Sequence, residues 1–146
     1  MGYTHYFTFK TERGTATETE RLYQKAIREC QKAIKAYYAE HGGLIGYSAH
    51  TKLGQYGGIE LNGKGEEGYE SFNLREHASE NDWGFCKTNR KPYDTVVVAC
   101  LAILKHRLRD AIDVSSDGRV KDWVAGVELA RRVTRLAVKV PESIRV

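Results

Sequence analysis

The chain has 146 residues, of which 41% are hydrophobic and 29% charged, and its formal net charge is +4. This composition predicts a globular protein with one domain, residues 1–146, and excludes a membrane-embedded chain. No apolar run approaches the roughly 20 residues of a membrane-spanning helix, and no secretory signal is visible at the start. We therefore expect a cytoplasmic protein without membrane contacts, whose small positive charge favours acidic partners.

The first predicted elements are a strand and a long helix. Residues 3–9 alternate well enough to predict a strand. Overlapping Ser/Thr-x-x-Glu patterns over residues 15–20 predict a helix start, and apolar residues recur at helical spacing until residues 41–43 end the helix. Five cations share one stripe of this helix: Arg21, Lys25, Arg28, Lys32 and Lys35. A solvated face and an anion-binding face both explain the stripe.

The middle of the chain predicts short antiparallel strands at residues 45–52, 58–61 and 69–74. Asn62-Gly63 predicts a hairpin turn after the second of these strands. Residues 63–68 match the string G-x-G-x-x-G, but two glutamates inside it would repel a pyrophosphate and no helix is predicted to follow, which excludes a dinucleotide fold. We expect a polar loop over residues 77–82, which Trp83-Gly84 ends.

The last third of the chain predicts a buried helix from Asp94, as its capping residue, to about Arg109. A strand over residues 112–115, a turn at 116–118 and a final helix from near Asp122 until Pro141 follow. The order of elements predicts an α+β fold, in which about three helices pack on a mostly antiparallel sheet.

Residues 85–94 combine aromatic rings, cations and hydrogen-bonding groups just before the buried helix, which is typical of a ligand loop. An aromatic ring can stack on a base, cations neutralise phosphates, and hydroxyl and amide groups add directional hydrogen bonds. The candidate ligand-binding residues of this segment are Phe85, Lys87, Thr88, Asn89, Arg90, Lys91 and Tyr93. The alternative is that Phe85 and Tyr93 are core residues on either side of a solvated basic turn.

A second candidate segment is the turn over residues 115–119. Asp117 can accept from ribose hydroxyls or an amino group, while Ser115, Ser116 and Arg119 can donate to phosphates. Ordinary turn chemistry also explains this string. Its place after the buried helix could return it to the ligand loop.

Catalytic and metal-binding patterns are not evident. The five histidines lack metal-ligand spacing, no nucleophile elbow occurs, and the three cysteines are expected to be reduced thiols, with Cys30 and Cys100 buried. Cys86 lies in a basic neighbourhood that could lower its pKa. We expect no metal, no cofactor and no catalytic residue.

Three short motifs together resemble those of the Thoeris anti-defence protein 1 family of small phage proteins: GYTHY at 2–6, FCKT at 85–88 with KPYD at 91–94, and VSSDG at 114–118. The resemblance implies a sponge that binds, without cleaving it, a cyclic ADP-ribose signal made by a TIR immune enzyme. Some relatives also hold cyclic oligonucleotides at a separate site. The resemblance further implies that the protein forms dimers or larger assemblies in the cytoplasm of an infected bacterial host.

Carried onto this chain, the resemblance implies that Phe85 stacks on adenine and that Lys87 and Arg28 meet phosphates. Ser115, Ser116 and Asp117 would fix ribose or base edges, whereas the roles of Asn89, Arg90 and Arg119 rest on their chemistry alone. Two other functions stay open. One is a small phage nucleic-acid-binding protein that uses the helix stripe, and the other is a phosphodiesterase that degrades the same signals.

Overall fold

The computed structural model describes residues 2–10, 16–46 and 58–146. This part of the chain forms two three-stranded antiparallel sheets and three α-helices, which confirms the predicted α+β fold and divides the predicted sheet in two. The strands are β1 (Thr4–Phe9), β2 (Leu44–Gly46), β3 (Ile59–Gly63), β4 (Phe72–Leu74), β5 (Trp83–Lys87) and β6 (Ile112–Ser116). The helices are α1 (Ala16–His41), α2 (Asp94–Leu108) and α3 (Val120–Thr134).

The main sheet has β1 at its centre, with β5 and β6 antiparallel on either side. In this register Tyr6 lies opposite both Phe85 and Ser115. Because side chains alternate along a strand, the predicted alternation of residues 3–9 gives the sheet two distinct faces. The inner face carries buried His5, Phe7 and Phe9, and the outer face carries exposed Tyr6 and Thr8.

Helices cover the inner face. The ring of Phe9 meets Tyr23 of α1 with centroids 5.8 Å apart, and the ring of His5 meets Trp123 of α3 at 5.4 Å. Helix α2 packs between α1 and α3, and its residues 96–104 are all buried, as the continuous apolar run predicts. Close approach of α2 and α3 depends on Gly126, where a Cβ atom would lie 2.5 Å from Cγ1 of Val98.

The second sheet has the order β2-β3-β4 and contacts the main sheet through the rings of Phe72 and Phe7, whose centroids lie 5.7 Å apart. The turn predicted at Asn62-Gly63 is wrong, because both residues belong to β3. Oδ1 of Asn62 accepts hydrogen bonds from the N–H groups of Gly63 and Tyr69, so the side chain holds a wider loop with a 3₁₀ turn at Gly65–Glu67. Residues 47–52 of a predicted strand lie outside the described residues.

The polar loop predicted at residues 77–82 contains a 3₁₀ turn, Ala78–Glu80, that is fixed to α1. Glu20 accepts a hydrogen bond from the N–H of Ala78 at 2.8 Å, and its other oxygen lies 2.9 Å from Nδ1 of His77. The loop ends at Trp83 as predicted, because β5 begins there. Phe85 and Lys87 therefore lie on a strand and not in the predicted loop.

The final helix ends at Thr134, earlier than the predicted stop near Pro141, because Arg135 adopts a left-handed backbone conformation with φ 59°. Residues after the helix run beside β6, where the Ser143 hydroxyl donates to the carbonyl of Val114. Among the described helices, none is long and apolar enough to cross a membrane.

We expect Gly126→Ala to lower the free energy of unfolding by about 1–2 kcal/mol. The new methyl group would press on Val98 and on the Thr95 carbonyl, and overpacking of this kind outweighs the gain in helix propensity. Urea unfolding followed by circular dichroism measures the change. Ala125→Ser on the exposed side of the same helix is the control, and equal stability of both variants would contradict the tight contact.

The contacts of His77 and His106 predict opposite titration shifts from the ordinary value of 6.5. The hydrogen bond with Glu20 raises the pKa of His77, whereas burial and then Arg107 and Arg109 lower the pKa of His106. The stability from protonated His77 is fully present below pH 6.5 and is lost as pH rises through the raised pKa. NMR titration of the ring protons should give the two midpoints on either side of 6.5.

Glu20→Gln should return the His77 midpoint toward its ordinary value and leave that of His106 unchanged. A His77 midpoint at or below 6.5 in the unaltered protein would contradict the contact with Glu20.

Candidate functional site

Two of the sequence-predicted segments meet at the end of the main sheet where β1 begins. The N–H groups of Thr88 and Asn89 donate to the carbonyl of Tyr3 at 3.1 and 3.2 Å. On the other side of β1, the N–H of Asp117 donates to the carbonyl of Thr4, and its carboxylate accepts from the Thr4 N–H at 3.0 Å. The loop 88–93 and the turn 116–119 thus lie on the two sides of one strand.

A buried polar network fixes both segments. The His5 side chain has no exposed surface, its Nδ1 lies 2.7 Å from Oγ of Ser116, and its Nε2 lies 2.6 Å from Oδ1 of Asp94. The Thr88 hydroxyl donates to the same Asp94 oxygen at 2.5 Å. The predicted capping role of Asp94 is wrong, because its carboxylate faces His5 and Thr88 and makes no capping hydrogen bond at the start of α2.

Ser116, His5 and Asp94 have the residue types of a serine hydrolase relay, but their surroundings favour a structural role. A catalytic histidine must pass a proton to a bound substrate. Here the His5 ring is covered by Tyr3 and Trp123, with centroids 5.1 and 5.4 Å away. The Ser116 hydroxyl also accepts the Gly118 N–H at 2.9 Å, so it is held inside the turn.

The basic tip of the loop is held in an uncommon backbone conformation. Asn89 and Arg90 have φ values of 54° and 59°, which few residues other than glycine adopt. The Arg90 guanidinium lies 4.1 Å from the Tyr3 ring centroid and donates to Asp122 at 3.1 Å. Burial raises the pKa of the Tyr3 hydroxyl. Gly118 allows the turn to approach, since a Cβ atom there would lie 2.2 Å from that hydroxyl.

The outer face of the main sheet carries exposed aromatic rings. The exposed fractions are 43% for Tyr6, 65% for Trp83 and 50% for Phe85, and we call these three residues the aromatic surface. The rings of Trp83 and Phe85 stack with centroids 5.8 Å apart and planes 18° apart. Lys87 follows on the same face of β5, with its Nζ 5.4 Å from the centroid of the Tyr69 ring.

The predicted ligand-binding residues divide into groups by position. Phe85, Lys87, Ser115 and Asp117 lie at the outer face, whereas Thr88 and Tyr93 are buried. The Tyr93 hydroxyl donates to the Glu70 carbonyl at 2.5 Å, so Tyr93 supports the site from within.

The remaining predicted residues lie at the rim or elsewhere. Asn89, Arg90 and Lys91 form the rim of the loop, and Arg119 donates to the carbonyl of Val146 at 2.9 Å. Arg28 is not part of this site, because α1 packs against the inner face and the sheet separates it from Phe85.

Four residues of the site are not among those predicted from the sequence: Tyr6, Trp83, His5 and Asp94. The alternation over residues 3–9 could have placed Tyr6 on an open face, because its neighbours on that face are threonines. No local pattern indicates the contact of His5 with Asp94, since 89 residues separate them.

The prediction that a basic neighbourhood could lower the pKa of Cys86 is wrong. Cys86 is buried on the inner side of β5, and burial raises its pKa to about 12. Its sequence neighbour Lys87 points to the opposite face of the strand. This environment favours an unreactive thiol.

Among the described residues, Glu76, His77 and Glu80 place possible metal-ligand atoms within 4.8 Å of one another. All three are exposed. Glu80 accepts the His77 N–H at 2.8 Å, and Glu20 engages the His77 ring. These hydrogen bonds account for the grouping without an ion.

A cleft of about 370 Å³ lies between β5 of the main sheet and the β4 segment of the second sheet. Phe7 and Phe9 line its floor, and Trp83 and Phe85 belong to one wall. The opposite wall presents Ser71, Asn73 and Arg75. The cleft is therefore continuous with the aromatic surface.

Comparison with protein-family models, curated proteins and solved structures finds no match to this chain. The fold and site define an α+β protein with an exposed aromatic sheet face beside a hydrogen-bonded, basic-rimmed loop.

We expect Asp94→Ala to lower the free energy of unfolding by about 3 kcal/mol, because it removes the acceptor from His5 and from Thr88 in a largely buried network. Chemical denaturation measures the loss. Asp110→Ala, at an exposed acid, should change stability by less than about 0.5 kcal/mol. A similarly small effect of Asp94→Ala would mean that the network does not hold the loop.

Proposed function

We propose that this chain binds a nucleotide at the outer face of the main sheet and holds it without cleaving it. The observation that carries the proposal is the aromatic surface, where three large rings are exposed side by side. Contiguous exposed apolar rings mark interaction sites, and nucleobases stack on such rings with about 1–3 kcal/mol per base.

The polar groups around the aromatic surface suit a nucleotide. Lys87 lies beside Phe85 on β5 and can approach a phosphate, while Ser115 lies across β1 from Phe85. The Asp117 carboxylate, which accepts the Tyr6 hydroxyl at 3.4 Å, can also accept a ribose hydroxyl. Lys91 adds positive charge at the rim, where the charge of Arg90 is paired with Asp122.

The resemblance to the Thoeris anti-defence protein 1 family narrows the proposed ligand to a cyclic ADP-ribose signal made by a TIR enzyme. In that role the chain is a phage immune-evasion sponge in the cytoplasm of an infected bacterium, with cyclic oligonucleotides as a possible second class of ligand. Binding without cleavage is supported by the burial of His5, which removes the best candidate proton carrier from contact with a ligand.

The proposal includes a homo-oligomer, as the resemblance implies. A cyclic ADP-ribose carries a diphosphate, whereas Lys87 is the cation placed on the outer face beside Phe85. A second copy of the chain could add its own rim cations to the same ligand. Light scattering with and without ligand measures this assembly.

Nucleic-acid binding is the second candidate, and one observation favours it. Lys25, Arg28, Lys32 and Lys35 follow one face of α1, and none of them pairs with an acid in the described part of the chain. Arg21 differs, because it pairs with Glu18 at 2.5 Å. Phosphate contacts along this stripe would make affinity fall steeply with salt concentration.

Phe85→Ala should weaken the binding of cyclic ADP-ribose by roughly 5- to 150-fold, the equivalent of the 1–3 kcal/mol of a lost stacking ring. Titration calorimetry measures the affinity, and mass spectrometry of ligand released by heating should recover it with its original mass. Tyr38→Ala is the matched control, because Tyr38 is a similarly exposed aromatic residue on α1. Equal affinity of all three proteins would remove the aromatic surface from the site.

The same titrations separate the other functions. A ligand returned with the mass of a linear product would support the phosphodiesterase alternative. Binding of an oligonucleotide that is lost in Arg28→Ala and unaffected in Phe85→Ala would support the nucleic-acid alternative.

A further inference from the structure

We infer that the cleft between β4 and β5 takes the base of the nucleotide, and that the main chain of Phe85 pairs with the hydrogen-bonding edge of that base. This inference rests on the proposed function for the identity of the ligand as a nucleotide. The cleft itself, with its volume of about 370 Å³, lies within the usual range for small-molecule sites.

The Phe85 backbone faces the cleft. Residues opposite each other in an antiparallel pair alternate between hydrogen-bonded and non-bonded pairs. The N–H of Phe9 donates to Asp82 and that of Thr88 donates to Tyr3, so the bonded pairs include residues 82, 84, 86 and 88. Phe85 falls between them, and its N–H and C=O therefore point away from β1.

Lys87 lies two residues further along β5, so its N–H and C=O point in the same direction as those of Phe85. The hydrogen bonds of Lys87 confirm this direction. Its N–H donates to Oε1 of Glu70 at 2.8 Å, and its C=O accepts from the Glu70 N–H at 3.1 Å. The N–H and C=O of Phe85 have no such partner within the described residues. They form an unpaired donor and acceptor on the edge of β5 that borders the cleft.

The cleft is closed at both ends. Glu70 bridges to Lys87 at one end, as described above. At the other end the N–H of Arg75 donates to Oδ1 of Asn81 at 3.1 Å, and the Tyr23 hydroxyl donates to the Arg75 carbonyl at 2.6 Å. An extended peptide that added a strand to β5 would have to run past these bridges, so the cleft favours a compact ligand.

The lining of the cleft matches a nucleobase. The rings of Phe7 and Phe9 give the cleft an apolar lining, and Gly84 lets the Phe7 ring pack against β5, since a Cβ atom there would lie 2.7 Å from that ring. Adenine presents an amino donor beside a ring-nitrogen acceptor, which complements one carbonyl and one N–H of the same strand residue. Asn73 and Ser71 offer further hydrogen bonds from the opposite wall.

The charges of the cleft place the phosphates outside it. Arg75 shares the cleft with Glu80 and Asp82, whose charges offset its own. A phosphate is therefore favoured toward Lys87, at the end of β5 nearest the basic loop. This arrangement puts the base in the cleft, beside the Trp83 and Phe85 side chains that line the same wall, and the phosphates beyond them toward Lys87.

Amide hydrogen exchange by NMR tests the inference with adenosine, which has a base and no phosphate, and ribose 5-phosphate, which has no base. Saturating adenosine should slow exchange of the Phe85 amide by about tenfold or more, and ribose 5-phosphate should leave it unchanged. Unchanged exchange with adenosine, or equal protection by both compounds, would overturn the inference.

A pair of variants tests the same contact by affinity. Phe85→Ala and Phe85→Pro both remove the ring, but only proline also removes the N–H, and an unpaired edge position tolerates proline. Phe85→Pro should bind adenosine roughly 3- to 10-fold more weakly than Phe85→Ala, and equal affinities would contradict the main-chain contact. If circular dichroism shows that Phe85→Pro does not fold, the exchange measurement decides.

The outcomes separate this inference from the proposed function. Binding of cyclic ADP-ribose without protection of the Phe85 amide would overturn the cleft assignment and leave the proposed function standing. Adenosine protection without affinity for cyclic ADP-ribose would support the cleft and refute the proposed cyclic ligand.

Discussion

The site depends on the hydrogen bonds of one buried histidine. His5 sits at the centre of the main sheet and joins Ser116 of β6 to Asp94 at the start of α2, which in turn holds Thr88. Segments 89 and 111 residues away from His5 are thereby brought to one end of one strand. Because a buried polar group without its partner is costly, this network specifies a single arrangement of loop and turn.

Strand β1 serves two purposes because its side chains alternate. Its inner residues form the polar network and the aromatic core, while Tyr6 lies on the outer face between Phe85 and Ser115. The exposed ring of Tyr6 is attached to the same backbone as the packed core residues of β1, so the core fixes the position of that ring's Cα atom. A face held in this way would lose little conformational entropy on binding a ligand.

The sequence predicts the parts of this fold whose patterns are local. The long amphipathic α1, the buried α2 and the strand that contains His5 were all predictable from spacing. Strand β5 was not, because Trp83 and Phe85 are exposed apolar residues and the alternation that marks a half-buried strand is lost. The Asn62-Gly63 turn was wrong for a related reason, since the Asn62 side chain bonds to Tyr69 across a wider loop.

The candidate site, too, was predictable only where its sequence pattern is local. Composition pointed to residues 85–94, but it could not show which of their side chains face outward. The first of these residues belong to a strand, and in a strand successive side chains point to opposite faces. Phe85 and Lys87 therefore reach the outer face, whereas Cys86 between them is buried and Thr88 turns into the network. The free edge of β5 is invisible in any side-chain pattern, because main-chain donors and acceptors are the same for nearly every residue. The main-chain groups of β5 that are free to bind a base depend on which strands pair with β5, and only the fold determines that pairing.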